Sequence, residues 1–259
     1  MGARGRTDRA LTYTDQSDRI QMKIVFRCDP ALLDLLPRPV AARQALPDWL
    51  RAMPRKAYSE VHERDIRTVK QCPPFVDAMS HGFMVLLPCD VHVERGMFSW
   101  AWELPPLTVE EHPSSPISFH AAAQISGTPF HDGHSSALKF NSFWTIELEE
   151  GWSLFATHPV NRDDLPFRSL TGLVSADRFT DVGINFPAIW LQPDFQGVLP
   201  KGTPVAQCFP VPRVQSTLIF EGLSHERSLA YSKLVKEVML TPGIYRKRFR
   251  AKPDQSSGQ

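Results

Sequence analysis

The chain has 259 residues, 29 Lys plus Arg against 28 Asp plus Glu, and a hydrophobic share of 42%. That length can bury a substantial core, and the near-neutral charge speaks against nucleic acid or an anionic membrane as the main partner. No apolar run approaches the ~20 residues that cross a bilayer, and no apolar stretch follows the Arg-bearing start from Met1 to Arg19, so a soluble cytoplasmic protein is expected.

Residues 1–20 are polar and read as a disordered tail, residues 21–250 as one β-rich domain, and residues 251–259 as a second disordered tail. From Asp29 to Tyr58, leucines alternate with Pro30, Pro37, Pro39 and Pro47, which fits one or two short helices wrapped on a sheet. The 23 prolines then fall between short apolar runs, where strand ends tolerate them and helix interiors do not. Strands are expected at Phe83–Leu87, Met97–Trp102, Leu138–Phe140, Trp144–Leu148 and Ser153–Thr157. Further strands are expected at Ser169–Val174, Ala188–Leu191, Val205–Phe209 and Ser216–Phe220. Ser224 is an N-cap for a helix from His225 to Leu240, with Leu234, Val235 and Val238 as its apolar stripe and Pro242-Gly243 as its stop. The fold class that follows is mainly β: a sandwich or barrel-like unit, β-clip-like or cupin-like, with peripheral N-terminal and C-terminal helical segments.

Signature motifs exclude several classes. The chain has no P-loop, no G-x-G-x-x-G, no G-x-S-x-G and no H-E-x-x-H. Its cysteines, Cys28, Cys72, Cys89 and Cys208, are scattered without C-x-x-C spacing, as buried free thiols are. Chemistry must therefore come from residues distant in sequence.

Imidazole and carboxylate are the ligand set of a divalent ion such as iron, zinc or manganese. His131-Asp132-Gly133-His134 lies in a turn, while His120 and His158 each follow a strand-like run and make better site candidates. With Asp177 they form a candidate metal set: His120, His158, Asp177. After His158 comes the polar loop Asn161-Arg162-Asp163-Asp164, then Arg168. His158, Arg162 and Asp177 are the candidate catalytic residues, supplying a titratable base, a fixed cation and a carboxylate. Asn161 and Arg168 are candidate substrate-binding residues. A surface ion pair of Arg162 with Asp163 or Asp164 is the plain alternative, as is an Arg162–Asp177 pair.

Gly151-Trp152-Ser153-Leu154-Phe155, His158 to Arg162, Gly172 to Asp177 and Gly202-Thr203-Pro204-Val205-Ala206-Gln207 resemble, in order and spacing, the core of the trimeric dUTPase and dCTP deaminase superfamily. The resemblance implies a β-clip strand arrangement, with the ligand site at the loops bearing these residues. Ser175 stands where that superfamily has its catalytic Asp, and the glycine-rich C-terminal phosphate motif is absent, which argues against dUTP hydrolysis. The whole chain is also similar to a family of uncharacterised bacterial and phage proteins. Its landmarks are Pro47-Asp48-Trp49, Lys70-Gln71-Cys72-Pro73-Pro74-Phe75, His158-Pro159-Val160-Asn161-Arg162 and Asn185-Phe186-Pro187.

Three functional expectations stand side by side. One is a small-molecule enzyme, a non-haem metal-dependent oxygenase or related tailoring enzyme. Another is a nucleotide-directed β-clip protein without the hydrolytic Asp. The third is a binding or assembly protein that forms a homo-oligomer.

Overall fold

The computed structural model describes residues 22–130 and 137–251. The two expected tails therefore lie outside the described residues, apart from Ala251, as do His131, Asp132 and His134. The chain is mainly β, and every strand pairing among the described residues is antiparallel.

The largest sheet runs in the order β13 (Gly172–Val174), β11 (Trp152–Thr157), β16 (Pro204–Pro212), β5 (Phe83–Leu86), β2 (Val40–Ala41). A second sheet runs β12 (Phe167–Ser169), β14 (Phe186–Trp190), β9 (Ala137–Phe140), β8 (Ile117–Phe119). Smaller ribbons are β15 (Gly197–Leu199) with β6 (Val91–Glu94) and β7 (Met97–Ser99), then β1 (Val25–Arg27) with β10 (Thr145–Glu147), then β3 (Lys56–Ser59) with β4 (Arg64–Arg67). Inner faces of the first two sheets meet in one apolar cluster, which includes Leu154 and Cys208 from one side and Leu138, Phe140 and Phe167 from the other. That layering is sandwich-like.

Strand β16 is the spine of the first sheet. Val205 to Cys208 are buried in succession, as a strand flanked on both sides requires. Its pairing with β5 ends at Cys208, so Pro210 and Pro212 fall where that side is open and no ladder bond is lost. Among the described residues the α-helices beside the sheets are α1 (Asp48–Ala52), α2 (Pro73–Ser80) and α3 (His225–Leu240). Helix α2 starts on Pro73, where a missing N–H costs nothing. Ser224 caps α3 through the Arg227 amide, as expected.

Two expectations are corrected. Ser169–Val174 is not one strand: β12 and β13 belong to different sheets, and the chain turns at Leu170-Thr171, where the Leu170 amide bonds to Pro187. Ser216–Phe220 has the apolar composition of a strand but no regular structure, because no partner edge lies beside it. Strand formation needs a neighbour, which composition cannot supply.

Gly82 enters β5 with φ of 72°, and a Cβ there would sit 2.1 Å from the Cys208 carbonyl oxygen. Gly96 has φ of 76° but nothing within 4 Å of such a Cβ. Gly82→Ala should therefore cost about 3 kcal/mol or more in urea unfolding, against about 1 kcal/mol for Gly96→Ala. Equal costs would show that the close approach of β5 to β16 is not rigid.

Candidate functional site

The His158 loop is a structural knot. His158 sits at the end of β11, and its Nδ1 accepts the Ser169 amide at 3.2 Å while its Nε2 lies 3.0 Å from the Arg162 carbonyl. An acceptor Nδ1 fixes the tautomer: Nε2 carries the proton and donates it to Arg162. Both ring nitrogens are thus committed to backbone groups. Burial holds the imidazole below its ordinary pKa, outweighing the bond to Arg162 and the charge of Asp163.

Arg162 is only 11% exposed and grips Asp164 bidentately, Nε to Oδ1 at 2.8 Å and Nη2 to Oδ2 at 2.9 Å. Burial acts to raise the Asp164 pKa, but the Arg162 bonds and charge, helped by the Trp49 indole at 3.3 Å, hold it below the usual carboxylate range. Asn161 takes the left-handed turn of this loop, with φ of 58°. The side chains of Asn161 and Arg168 are exposed, and among the described residues neither makes a hydrogen bond.

Beneath the loop lies Gln207, wholly buried. Its Oε1 accepts the Val160 amide at 2.9 Å, and its Nε2 donates to the carbonyls of Ala78 at 2.9 Å and His81 at 2.7 Å. Lys70 in turn donates to the Arg51 and Met53 carbonyls and closes the end of α1. Bonds from Trp49 to Asp164, from Lys70 to the end of α1 and from Val160 to Gln207 thus tie α1, the start of α2 and the His158 loop to their neighbours.

Asp177 belongs to a different clasp. Its carboxylate is 2% exposed and accepts both Arg213 guanidinium nitrogens and the Gly151 amide. The Arg213 bonds lead in holding its pKa far below the ordinary value. Gly151 and His158 flank opposite ends of β11, which sets Asp177 and His158 about 20 Å apart at strand rise. His120 bonds Gln124, on the exposed end of β8. Three inter-strand steps, β12 to β14 to β9 to β8, separate it from Ser169 and so from His158, about 14 Å. The structure does not bring His120, His158 and Asp177 together. Among the described residues, no three His, Cys, Asp or Glu side chains are placed to hold a metal ion.

A different place combines space with unspent polar groups. A cleft of about 330 Å³ is walled by segments 27–30, 108–113, 142–145 and 180–183. Asp29 is its buried hinge: Oδ1 accepts the Ala31 amide at 2.9 Å, and Oδ2 accepts those of Thr108 at 2.7 Å and Val109 at 3.3 Å. Those bonds, led by Ala31, keep its pKa low against the effect of burial. They also pin the long irregular connection between β7 and β8 across the mouth of the β1–β10 ribbon. The floor is aromatic, with Phe143 packed 4.8 Å from Trp102 and 5.0 Å from the His112 ring. Gly183 closes the fourth wall, since a Cβ there would lie 2.3 Å from the Ser142 carbonyl oxygen.

The cleft's chemistry is recognition. His112 Nδ1 lies 3.0 Å from the Pro113 carbonyl and donates to it, leaving Nε2 an open acceptor. Thr145, opposite Arg27 in the ribbon, has its Oγ1 buried, and among the described residues it has no hydrogen-bond partner. Glu111 and Asp181 add carboxylates, while the guanidinium of Arg27 is already paired with Glu147. Burial, then the neighbouring Asp29 charge, raise the Cys28 pKa, so this thiol stays protonated and is not an activated nucleophile. Sequence reasoning missed this site because four separate segments build it. Asp29 before Pro30 carried only a capping signal.

No protein-family model matches the chain, and no curated protein matches it in sequence. Among the described residues, no helix is long and apolar enough to cross a membrane. The segments that carry the β-clip resemblance form β13, β11 and the start of β16, neighbours in one sheet.

The His158 geometry has a pH consequence. Protonation must break the Ser169 bond, so the unfolded chain takes up the proton first, near pH 6.5. Stability is level above that pH and falls as pH drops below it toward the lowered native value. His158→Gln should flatten the fall that begins below about pH 6.5 in urea titrations. An unchanged slope would mean that His158 is free to protonate in the fold.

Proposed function

We propose that the protein binds a small organic cation in the cleft between Asp29 and Thr145. The observation that carries this reading is the buried, unpartnered Thr145 hydroxyl on the wall of a net acidic cavity. A buried hydroxyl without a partner costs about 1–3 kcal/mol, which a ligand donor or acceptor would recover. Asp29, Glu111 and Asp181 outnumber the single guanidinium, so an amine or amidine is favoured electrostatically and a phosphate is opposed. The Phe143 ring supplies an apolar floor against which a cationic head can rest. A volume of about 330 Å³ suits a molecule of amino-acid or nucleobase size.

This reading keeps the expectation of a small-molecule ligand and leaves aside metal-dependent oxygenation and nucleotide binding. Metal chemistry would draw on His120, His158 and Asp177, which stand far apart and are bonded within the fold. Nucleotide phosphates would meet carboxylates at the cleft.

Benzamidine and benzoate share a shape and differ in charge, so calorimetric titration with each is a direct test. Benzamidine should bind and benzoate should not. Glu111→Gln with Asp181→Asn should weaken benzamidine about tenfold, and Thr145→Val should weaken it by a similar factor. Preference for benzoate, or binding indifferent to these substitutions, would refute the proposal.

A further inference from the structure

The fold sorts the cations that follow α3. Tyr245–Phe249 is one π-helical turn, closed where the Arg250 amide donates to the Tyr245 carbonyl at 2.9 Å. Both ends of the turn are fastened: Ile244 is buried before it, and after it Arg250 grips Asp77 on α2 through Nε and Nη2. Arg248 pairs with Glu237 of α3. Arg246 is spent differently. It lies beside Lys70 and Pro73 on the wall of a separate cavity, and among the described residues it has no hydrogen-bond or acidic partner.

That cavity has a volume of about 180 Å³ and is lined by Lys70, Gln71, Pro73, Val76, Arg246 and Arg250. Three cations meet there, and among the described residues no carboxylate lines it. Asp77 cancels the charge of Arg250, which leaves the charges of Lys70 and Arg246 unbalanced. Lys70 gives protons to the carbonyls of Arg51 at 2.5 Å and Met53 at 2.9 Å, bonds that fix the ammonium without neutralising it. Its third proton, the Nη1 protons of Arg250 and all the N–H donors of Arg246 stay open. Helix α2 adds little of this positive lining, because Pro73 and Pro74 at its start have no N–H. Arg67 brings a further cation to the same two segments, since its guanidinium lies against Gly243, three residues before Arg246. Like charges drawn together from distant parts of the chain repel, and an anion between them turns that cost into attraction.

We infer that this cavity binds a terminal phosphate, either inorganic phosphate or the end of a small monoester. A planar guanidinium matches phosphate oxygens two at a time, and an ammonium adds a compact charge beside it. A phosphate dianion balances both free charges, whereas a carboxylate balances one. The volume takes a phosphate group and little more, so the rest of a monoester lies outside. This inference is independent of the Asp29 cleft, whose carboxylates oppose anions.

Calorimetric titration of the full chain at fixed ionic strength tests it. Inorganic phosphate should bind at least about tenfold more tightly than acetate. Arg246→Gln should weaken phosphate about tenfold or more with an unchanged circular dichroism spectrum. Lys247→Gln removes the same charge one residue away, at a side chain that does not line the cavity, and should change the affinity less than about twofold. Phenyl phosphate separates the two sources: tighter binding than inorganic phosphate marks a monoester site, and weaker binding marks a site for the free ion. No saturable binding of either up to about 10 mM overturns the inference. Equal losses in the two variants would assign the effect to diffuse surface charge and also overturn it, as would binding of a DNA duplex but of neither phosphate. If Arg246→Gln does not fold, amide chemical shifts of the wild type decide. Phosphate should move residues 70–77 and 244–250 and leave 158–169 in place, and the reverse pattern overturns the site.

Discussion

One buried amide organises this protein. Gln207 lies in the middle of β16 with no access to solvent, and its three hydrogen bonds reach two elements that are far apart in sequence. The side-chain oxygen holds the Val160 amide and so sets where β11 stops and the His158 loop begins. The nitrogen takes the last carbonyls around α2 and so sets where that helix sits on the sheet. In a low-dielectric interior each of these bonds is strong, and each orphaned group would be costly. An apolar residue of similar size could fill the space but could not join the helix to the loop.

That constraint decides which polar residues are free to function. His158, Arg162 and Asp164 look catalytic in isolation, yet each is bonded to a neighbour that the Gln207 network positions. Asp177 is consumed in its own way, since Arg213 and Gly151 use it to fasten the end of β16 to the start of β11. Polar groups left unspent collect elsewhere, in the cleft beside the β1–β10 ribbon. There Asp29 uses its carboxylate to hold a long connection in place, and Thr145 and His112 keep bonding capacity in reserve. Architecture and recognition are thus carried by different polar sets.

The β character was legible because proline punctuates short apolar and aromatic runs, and the C-terminal helix was legible because Ser224 and Pro242-Gly243 mark its ends. Pairing was not. Nothing in Ser169–Val174 reveals that two sheets divide it, because the division depends on where β14 and β11 lie. The same limit applies to Ser216–Phe220, whose composition suits a strand that finds no edge in its own chain. At the site, adjacency in sequence was misleading: His158 and Arg162 are close, but the His158 ring bonds the Arg162 carbonyl and the Ser169 amide, and the Arg162 side chain grips Asp164. Asp29, His112 and Thr145 are spread over more than a hundred positions, and only the folded chain assembles them. The landmark motifs read as marks of function, yet their polar groups hold the fold: Trp49 bonds Asp164, Lys70 bonds the carbonyls at the end of α1, and Val160 bonds Gln207.

Native-state hydrogen exchange of Gln207→Leu, with urea unfolding alongside, tests the central role of this amide most directly. Leucine fills the space and leaves the Val160 amide and the Ala78 and His81 carbonyls unsatisfied. The account predicts a loss of about 3 kcal/mol or more, with exchange accelerated in residues 158–164 and at the end of α2 before the rest of the sheet opens. A loss under about 1 kcal/mol, with residues 158–164 as protected as in the wild type, would contradict it.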